Sequence, residues 1–253
     1  MKHRVYNDTF YKNRNEQTKY AARKIINILL GYFQIESAID VGCGVGTWLN
    51  ELKNQGIKKV KGLDGNYVNR KYLVIDDNEF IPIDVSHTIN VKERYDLAIS
   101  LEVAEHLPIE RAKSFVGDLC KMSDVVMFSA AIKFQGGDSH INEQRISYWI
   151  QLFKDNGYEA MDIVRPEIWT DIKIPVWYRE NIVIFVNKYK FDKSFYQKKS
   201  EKSIFDMVHP ELYEAKIKYY EKIMENPIIK IYLFLGKKIK KLMRSLSLHI
   251  TRI

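Results

Sequence analysis

Cysteine is scarce. Cys43 and Cys120 are the only two in 253 residues, which excludes a disulfide framework and any cysteine-rich zinc module. Nowhere do apolar residues run unbroken for the roughly 20 positions of a membrane-spanning helix. The first residues, Met1-Lys2-His3-Arg4, lead into polar positions rather than the apolar stretch of a signal peptide. A G-x-x-x-x-G-K-[ST] phosphate loop is missing, as are internal repeats and Gly/Ser linkers. With 46% apolar and 28% charged residues, the composition also rules out disorder, collagen-like repeats and an architecture made only of coiled coil. What remains is a soluble cytoplasmic protein, large enough for one full core with appendages.

Charge is unevenly spread. Residues 1–187 carry 24 basic and 25 acidic side chains, whereas residues 188–253 carry 16 basic and 7 acidic. The net charge of +8 therefore belongs to the C-terminal quarter. A neutral body with a basic tail suits an enzyme with an electrostatic attachment better than a protein that coats nucleic acid.

Apolar spacing predicts a helix over residues 18–33, built on Ala22, Ile25, Ile26, Leu29 and Leu30. Strands follow over 37–41, 59–63, 80–85, 95–101, 124–131, 158–164 and 182–187, with helices over 47–55, 108–122 and 143–156. This alternation predicts an open α/β sheet with helices on both faces. Residues 188–203 are Lys-rich and lack periodic apolar positions, so they mark the expected boundary between a 1–187 domain and a 188–253 extension. Two helices, 210–225 and 227–253, fill that extension.

The most informative stretch is Ala38-Ile39-Asp40-Val41-Gly42-Cys43-Gly44-Val45-Gly46-Thr47-Trp48-Leu49. An apolar strand feeds alternate glycines, which feed a helix. Such glycines let a ligand lie against backbone, and the helix start offers free N–H donors. The third glycine comes one residue too early for the dinucleotide fingerprint, which demotes an NAD enzyme. Cys43 reads as a small residue packed behind the loop. Asp40 either reaches the ligand or caps the turn.

Asp-Val-Gly-Cys-Gly-Val-Gly-Thr resembles the first motif of class I S-adenosylmethionine (SAM)-dependent methyltransferases, and the order of elements follows that family to about residue 187. The resemblance implies a seven-stranded Rossmann-like sheet with helices on both faces, here extended by a helical C-terminal appendage. It also implies cofactor contacts from Asp40, Gly42, Gly44 and Gly46. Asp64, in Gly62-Leu63-Asp64-Gly65, takes the place of the family's acid for the ribose hydroxyls. Asp84 and Val85 match the loop where an acid meets the adenine amino group, and Ser100 lies in the matching fourth strand. In such sheets ligands bind beyond the strands' C-terminal edges, where these motifs fall.

The fourth strand runs into Glu102-Val103-Ala104-Glu105-His106-Leu107-Pro108. Spacing of i, i+3 and i+4 puts Glu102, Glu105 and His106 on one side of a helical turn. Carboxylates with an imidazole suit Mg²⁺, Mn²⁺ or Fe²⁺. The pattern is similar to one in ubiquinone-pathway O-methyltransferases and in small-RNA 3′-terminal 2′-O-methyltransferases. In the latter a further histidine after the fifth strand completes a divalent-metal site, and His140 stands in that place. The metal set is then Glu102, Glu105, His106 and His140, with Mg²⁺ or Mn²⁺ as the ion. The alternative is a metal-free acid–base cluster, in which His140 or His106 takes the acceptor's proton beside Glu102.

Phe128-Ser129-Ala130-Ala131, Gln135-Gly136-Gly137, His140 to Gln144 and Tyr148-Trp149 together resemble bacterial methyltransferases associated with surface-polysaccharide assembly. That likeness implies O-methylation of a small polar acceptor from capsule biosynthesis: a sugar, nucleotide-sugar or phosphoramidate group. Tyr148, Trp149, Trp169 and Trp177 could wall an acceptor pocket or belong to the core. An RNA 2′-O-methyltransferase is the alternative enzyme, but the basic residues lie after the catalytic core, so nucleic acid is not the expected partner. A SAM-binding scaffold or regulatory subunit is the non-catalytic alternative, opposed by the retained acids and histidines.

In the tail, Ile228, Tyr232, Leu235, Ile239, Leu242, Leu246, Ile250 and Ile253 make a helical stripe beside Lys237, Lys238, Lys240, Lys241 and Arg244. Such a helix packs on the enzyme itself, forms a homodimer, or lies on the anionic inner face of a membrane.

Overall fold

The computed structural model describes residues 8–200, 203–232 and 235. Its short apolar runs assemble into one sheet. Strands β1 (Ser37–Val41), β2 (Lys59–Asp64), β3 (Phe80–Pro82), β4 (Leu97–Leu101), β5 (Val125–Ser129), β6 (Tyr158–Met161) and β7 (Val183–Asn187) lie in the order β3-β2-β1-β4-β5-β7-β6. The first five pair in parallel, and β7 runs antiparallel to both β5 and β6. Every residue of β1, β4 and β5 is buried, as expected of central strands covered on both faces.

Helix α1 (Asp8–Leu30) buries Ala21, Ala22, Ile25, Ile26 and Leu29 along one stripe and packs on α2 (Thr47–Asn54). Helix α3 (Ile109–Met122) follows Pro108, which ends the preceding turn without needing a donor. Arg111 and Asp118 within α3 form a buried ion pair at 2.7 Å. Arg111 also donates to the carbonyls of Val85 and His87, and Asp118 accepts from Ile89 N. The pair thus clamps the loop after β3. Helix α4 (Ile146–Asp155) leads to β6, and α5 (Arg165–Ile168) and α6 (Val176–Asn181) lead to β7.

Two expectations change. The third strand stops at Pro82 instead of running to residue 85, because Asp84 closes a turn by accepting from Ser86 N and Oγ at 2.9 and 2.6 Å. The segment expected to be a linker contains α7 (Lys193–Ser200). Phe191 and Phe195 pack edge-on to Phe33, with ring centroids 5.8 and 5.7 Å away. Aromatic residues hidden among lysines therefore tie this segment to the body, and the first compact unit runs to Met207.

The described residues from 208 onward belong to a second unit. Its helix α8 (Pro210–Glu225) starts with proline in the first turn and buries none of its residues. Tyr213, Ile217, Tyr220 and Met224 are exposed along it. Residues 227–232 are helical. The stripe from Ile239 to Ile253 lies outside the described residues. None of the described helices is long and apolar enough to cross a membrane.

Candidate active site

Strand order reverses between β1 and β4, so a crevice opens beyond their C-terminal ends. It holds a cavity of about 410 Å³ whose walls include Asp40, Gly42, Gly44, Tyr67, Glu102 and Trp177. The glycine loop shapes its floor. Gly42 has φ +86°, and a Cβ there would collide with the Val103 side chain. The Gly42 and Cys43 amides both donate to Leu63 O, at 2.7 and 3.2 Å, which pins the loop to β2. Cys43 Sγ lies where a Cβ on Gly62 would come within 2.7 Å, so the thiol packs behind the loop. Burial pushes the thiols of Cys43 and Cys120 upward, away from thiolate.

Asp64 is 4% exposed at the end of β2. Its Oδ2 accepts from Gly44 N at 2.7 Å, and its Oδ1 accepts from Gly65 N at 2.6 Å and from the Tyr67 hydroxyl at 2.5 Å. Burial, followed by the Asp64 charge, raises the Asp40 carboxyl well above its ordinary range. Of the residues expected to contact the cofactor, Asp40, Gly42 and Gly44 line the cavity. Gly46 packs against Ile75, and Asp64 braces the floor from behind. Ser100 is buried within β4. Asp84 is exposed in its own turn, and the Val85 carbonyl is held by Arg111. None of these five, Gly46, Asp64, Ser100, Asp84 and Val85, lines the cavity.

The histidine cluster is built around one shared backbone acceptor. Ile141 N and Asn142 N donate to Glu105 O at 2.9 and 3.0 Å, stitching the loop after β5 to the turn after β4. Glu105, His106 and His140 consequently bring ligand atoms within 4.8 Å of one another. The two imidazoles meet edge to face at 4.8 Å. His140 Nδ1 pairs with Glu143 Oε1 at 3.0 Å, and the Glu143 carboxylate also accepts from Phe134 N and Gly136 N. A Cβ on Gly137 would strike the His140 ring, so only glycine lets the ring fold back there. His106 Nδ1 lies 3.3 Å from Ser139 O.

Glu105 is fully buried, and neither carboxylate oxygen has a well-formed hydrogen bond. Burial, then the Glu102 charge, pushes its carboxyl up to about 9, and the amides of Glu105 and Ala131 temper the rise only in part. Glu102 stands apart from this trio. It lines the cavity, adopts φ +56°, and accepts from Asn181 Nδ2 at 3.2 Å. Among the aromatic candidates, Trp177 lines the cavity, while Trp149 is buried against Phe128. Tyr67 and Asn181 carry no motif and went unforeseen.

A family model for a methyltransferase domain matches residues 14–163. The chain belongs to that family, and fold and family together make it a SAM-dependent methyltransferase with the class I architecture. Three solved structures resemble it. Magnesium protoporphyrin IX methyltransferase from Synechocystis PCC 6803, with bound S-adenosylhomocysteine (SAH), is 17% identical at a TM-score of 0.50, covering 73% of this chain and 92% of that one. The methyltransferase in a Haloferax volcanii complex with the Trm112 activator is 14% identical at 0.51, covering 69% and 94%. An O-methyltransferase family protein from Burkholderia thailandensis is 10% identical at 0.51, covering 71% and 57%. These likenesses describe the fold. Among curated protein sequences, none matches.

Proposed function

We propose that the protein is an O-methyltransferase whose acceptor is a small, hydroxyl-rich molecule of the sugar type, held with the help of a divalent cation. The observation that carries this reading is the Glu105 carboxylate, buried with both oxygens orphaned beside His106 and His140. A buried carboxylate with no well-formed hydrogen bond is costly, and a cation such as Mg²⁺ or Mn²⁺ satisfies it. Glu105, His106 and His140 would hold the ion, which supplies Lewis-acid polarisation of an acceptor hydroxyl.

SAM, when bound, supplies a methyl group on a positively charged sulfur. The acceptor oxygen bonds to the methyl carbon as the carbon–sulfur bond breaks and its electron pair stays on sulfur. The protein contributes alignment for this in-line displacement. Glu143 fixes the His140 tautomer through Nδ1, leaving the Nε2 lone pair to coordinate the ion or take the hydroxyl proton. The resemblance to surface-polysaccharide methyltransferases favours a glycan precursor as the acceptor. An RNA 3′-terminal ribose presents similar hydroxyls and is the competing acceptor.

Methyl transfer from labelled SAM to monosaccharides, nucleotide-sugars and short single-stranded RNA tests this directly. Transfer to a sugar-type acceptor should stop after chelation, return with Mn²⁺, and be abolished by His140→Ala while SAM still binds. Full activity after exhaustive chelation would remove the cation from the reading. Transfer to RNA alone would replace the acceptor.

A further inference from the structure

Asn181 ends α6 and is 2% exposed. Its Nδ2 donates to Glu102 Oε1 at 3.2 Å and to Gln135 Oε1 at 3.0 Å. Gln135 Oε1 also accepts from Ile132 N at 3.1 Å, so the loop backbone fixes that acceptor. A primary amide has two hydrogens on nitrogen, and each is committed here. Flipping the amide would set its oxygen against two acceptor oxygens. Its orientation is therefore determined, although it leaves Asn181 Oδ1 buried without a partner.

The other end of this contact is also constrained. Glu102 N donates to Ser129 O and Ser129 Oγ at 3.0 and 3.1 Å, and the residue holds φ +56°. A left-handed conformation at a non-glycine residue persists only when the surroundings impose it. Backbone and side chain are thus both held at a residue that lines the cavity shaped by the glycine loop. The Asn181 N–H donor suits an anionic acceptor.

We infer that Asn181 is a positioning residue that holds the Glu102 carboxylate toward the cofactor's sulfur and thereby sets the preference for SAM over SAH. The two ligands differ by one methyl group and one positive charge. A fixed carboxylate beside the sulfur attracts the sulfonium and has no such pull on the thioether. That attraction ends when the methyl group leaves, which eases product release. The inference rests on the cavity being the cofactor site, with Glu102 at its sulfur end.

The test is calorimetric binding of SAM and of SAH to the full chain and to Glu102→Gln, Asn181→Ser and the double variant. Glu102→Gln should lower the SAM:SAH affinity ratio by about tenfold, the scale of one partly solvated charge contact. Asn181→Ser should lower the ratio in the same direction and have no further effect on it in the Glu102→Gln background. Where serine leaves too large a void to fold, Asn181→Leu keeps the volume and carries the same comparison. Equal weakening of both ligands by the Asn181 variants would mean a merely structural role and overturn the inference. So would a further change of the ratio when the Asn181 substitution is added to Glu102→Gln. An unchanged ratio in Glu102→Gln would show instead that Glu102 is not beside the sulfur, and the role of Asn181 would fall with it.

Discussion

Asp64 Oδ2 accepts the Gly44 amide at 2.7 Å, so the acid that ends β2 also braces the glycine loop that follows β1. One carboxylate thereby serves two neighbouring strands. A change at this residue should register in folding as well as in binding.

Asp64→Ala should weaken SAM binding by roughly 1.5–3 kcal/mol, because the Gly44 amide and the Tyr67 hydroxyl, both on cavity-lining residues, lose the charge-assisted hydrogen bonds that hold them. It should also lower Tm, because Gly44 N, Gly65 N and the Tyr67 hydroxyl lose their acceptor. Calorimetric titration with thermal melts checks both. Unchanged affinity in a folded variant would remove Asp64 from the cofactor site.

Gly42→Ala and Gly44→Ala should separate stability from binding. A methyl group on Gly42 collides with Val103 at φ +86°, whereas one on Gly44 meets no atom within 4 Å at φ +55°. Urea unfolding should show the first destabilised by about 2 kcal/mol or more and the second by about 1. Gly44→Ala should still lose SAM affinity, because the added methyl projects from the cavity wall. Equal stability losses would contradict the packing described for the loop.

Glu105 titrates near 9 in the folded protein, against an ordinary 4.5. Between those values the unfolded chain has released a proton that the folded chain still holds. Stability contributed by this group is therefore complete below 4.5 and is lost as pH rises toward 9, by up to about 1.4 kcal/mol per pH unit. With chelator present, Glu105→Gln should gain on the parent protein steadily from pH 5 to pH 8.5. Parallel stability curves would mean that the carboxyl is not buried as described.

The parts of this protein that were legible in its sequence are those written locally. The run from Ala38 to Leu49 carries its strand, loop and helix in consecutive residues, and Pro210 to Glu225 announces both its start and its stop. The Glu105–His106 turn and His140 could also be named, because residue type and order suffice to nominate them. Separation in sequence hid the rest. Asn181 meets Glu102 across 79 residues and Gln135 across 46, and no spacing rule links them. Phe191 and Phe195 were masked by surrounding lysines. Asp84 misled because a turn-closing aspartate and a ligand-binding one look alike until the backbone around them is known.

Both thiols lie buried, Cys43 against Gly62 and Cys120 on α3. Held as un-ionised thiols, they should react slowly with maleimides and iodoacetamide in the native state. The wild-type chain is accordingly a ready background for single-cysteine labelling. A dye or spin label placed on exposed Tyr213 or Tyr220 of α8 could then report from one chosen position without first stripping the native cysteines.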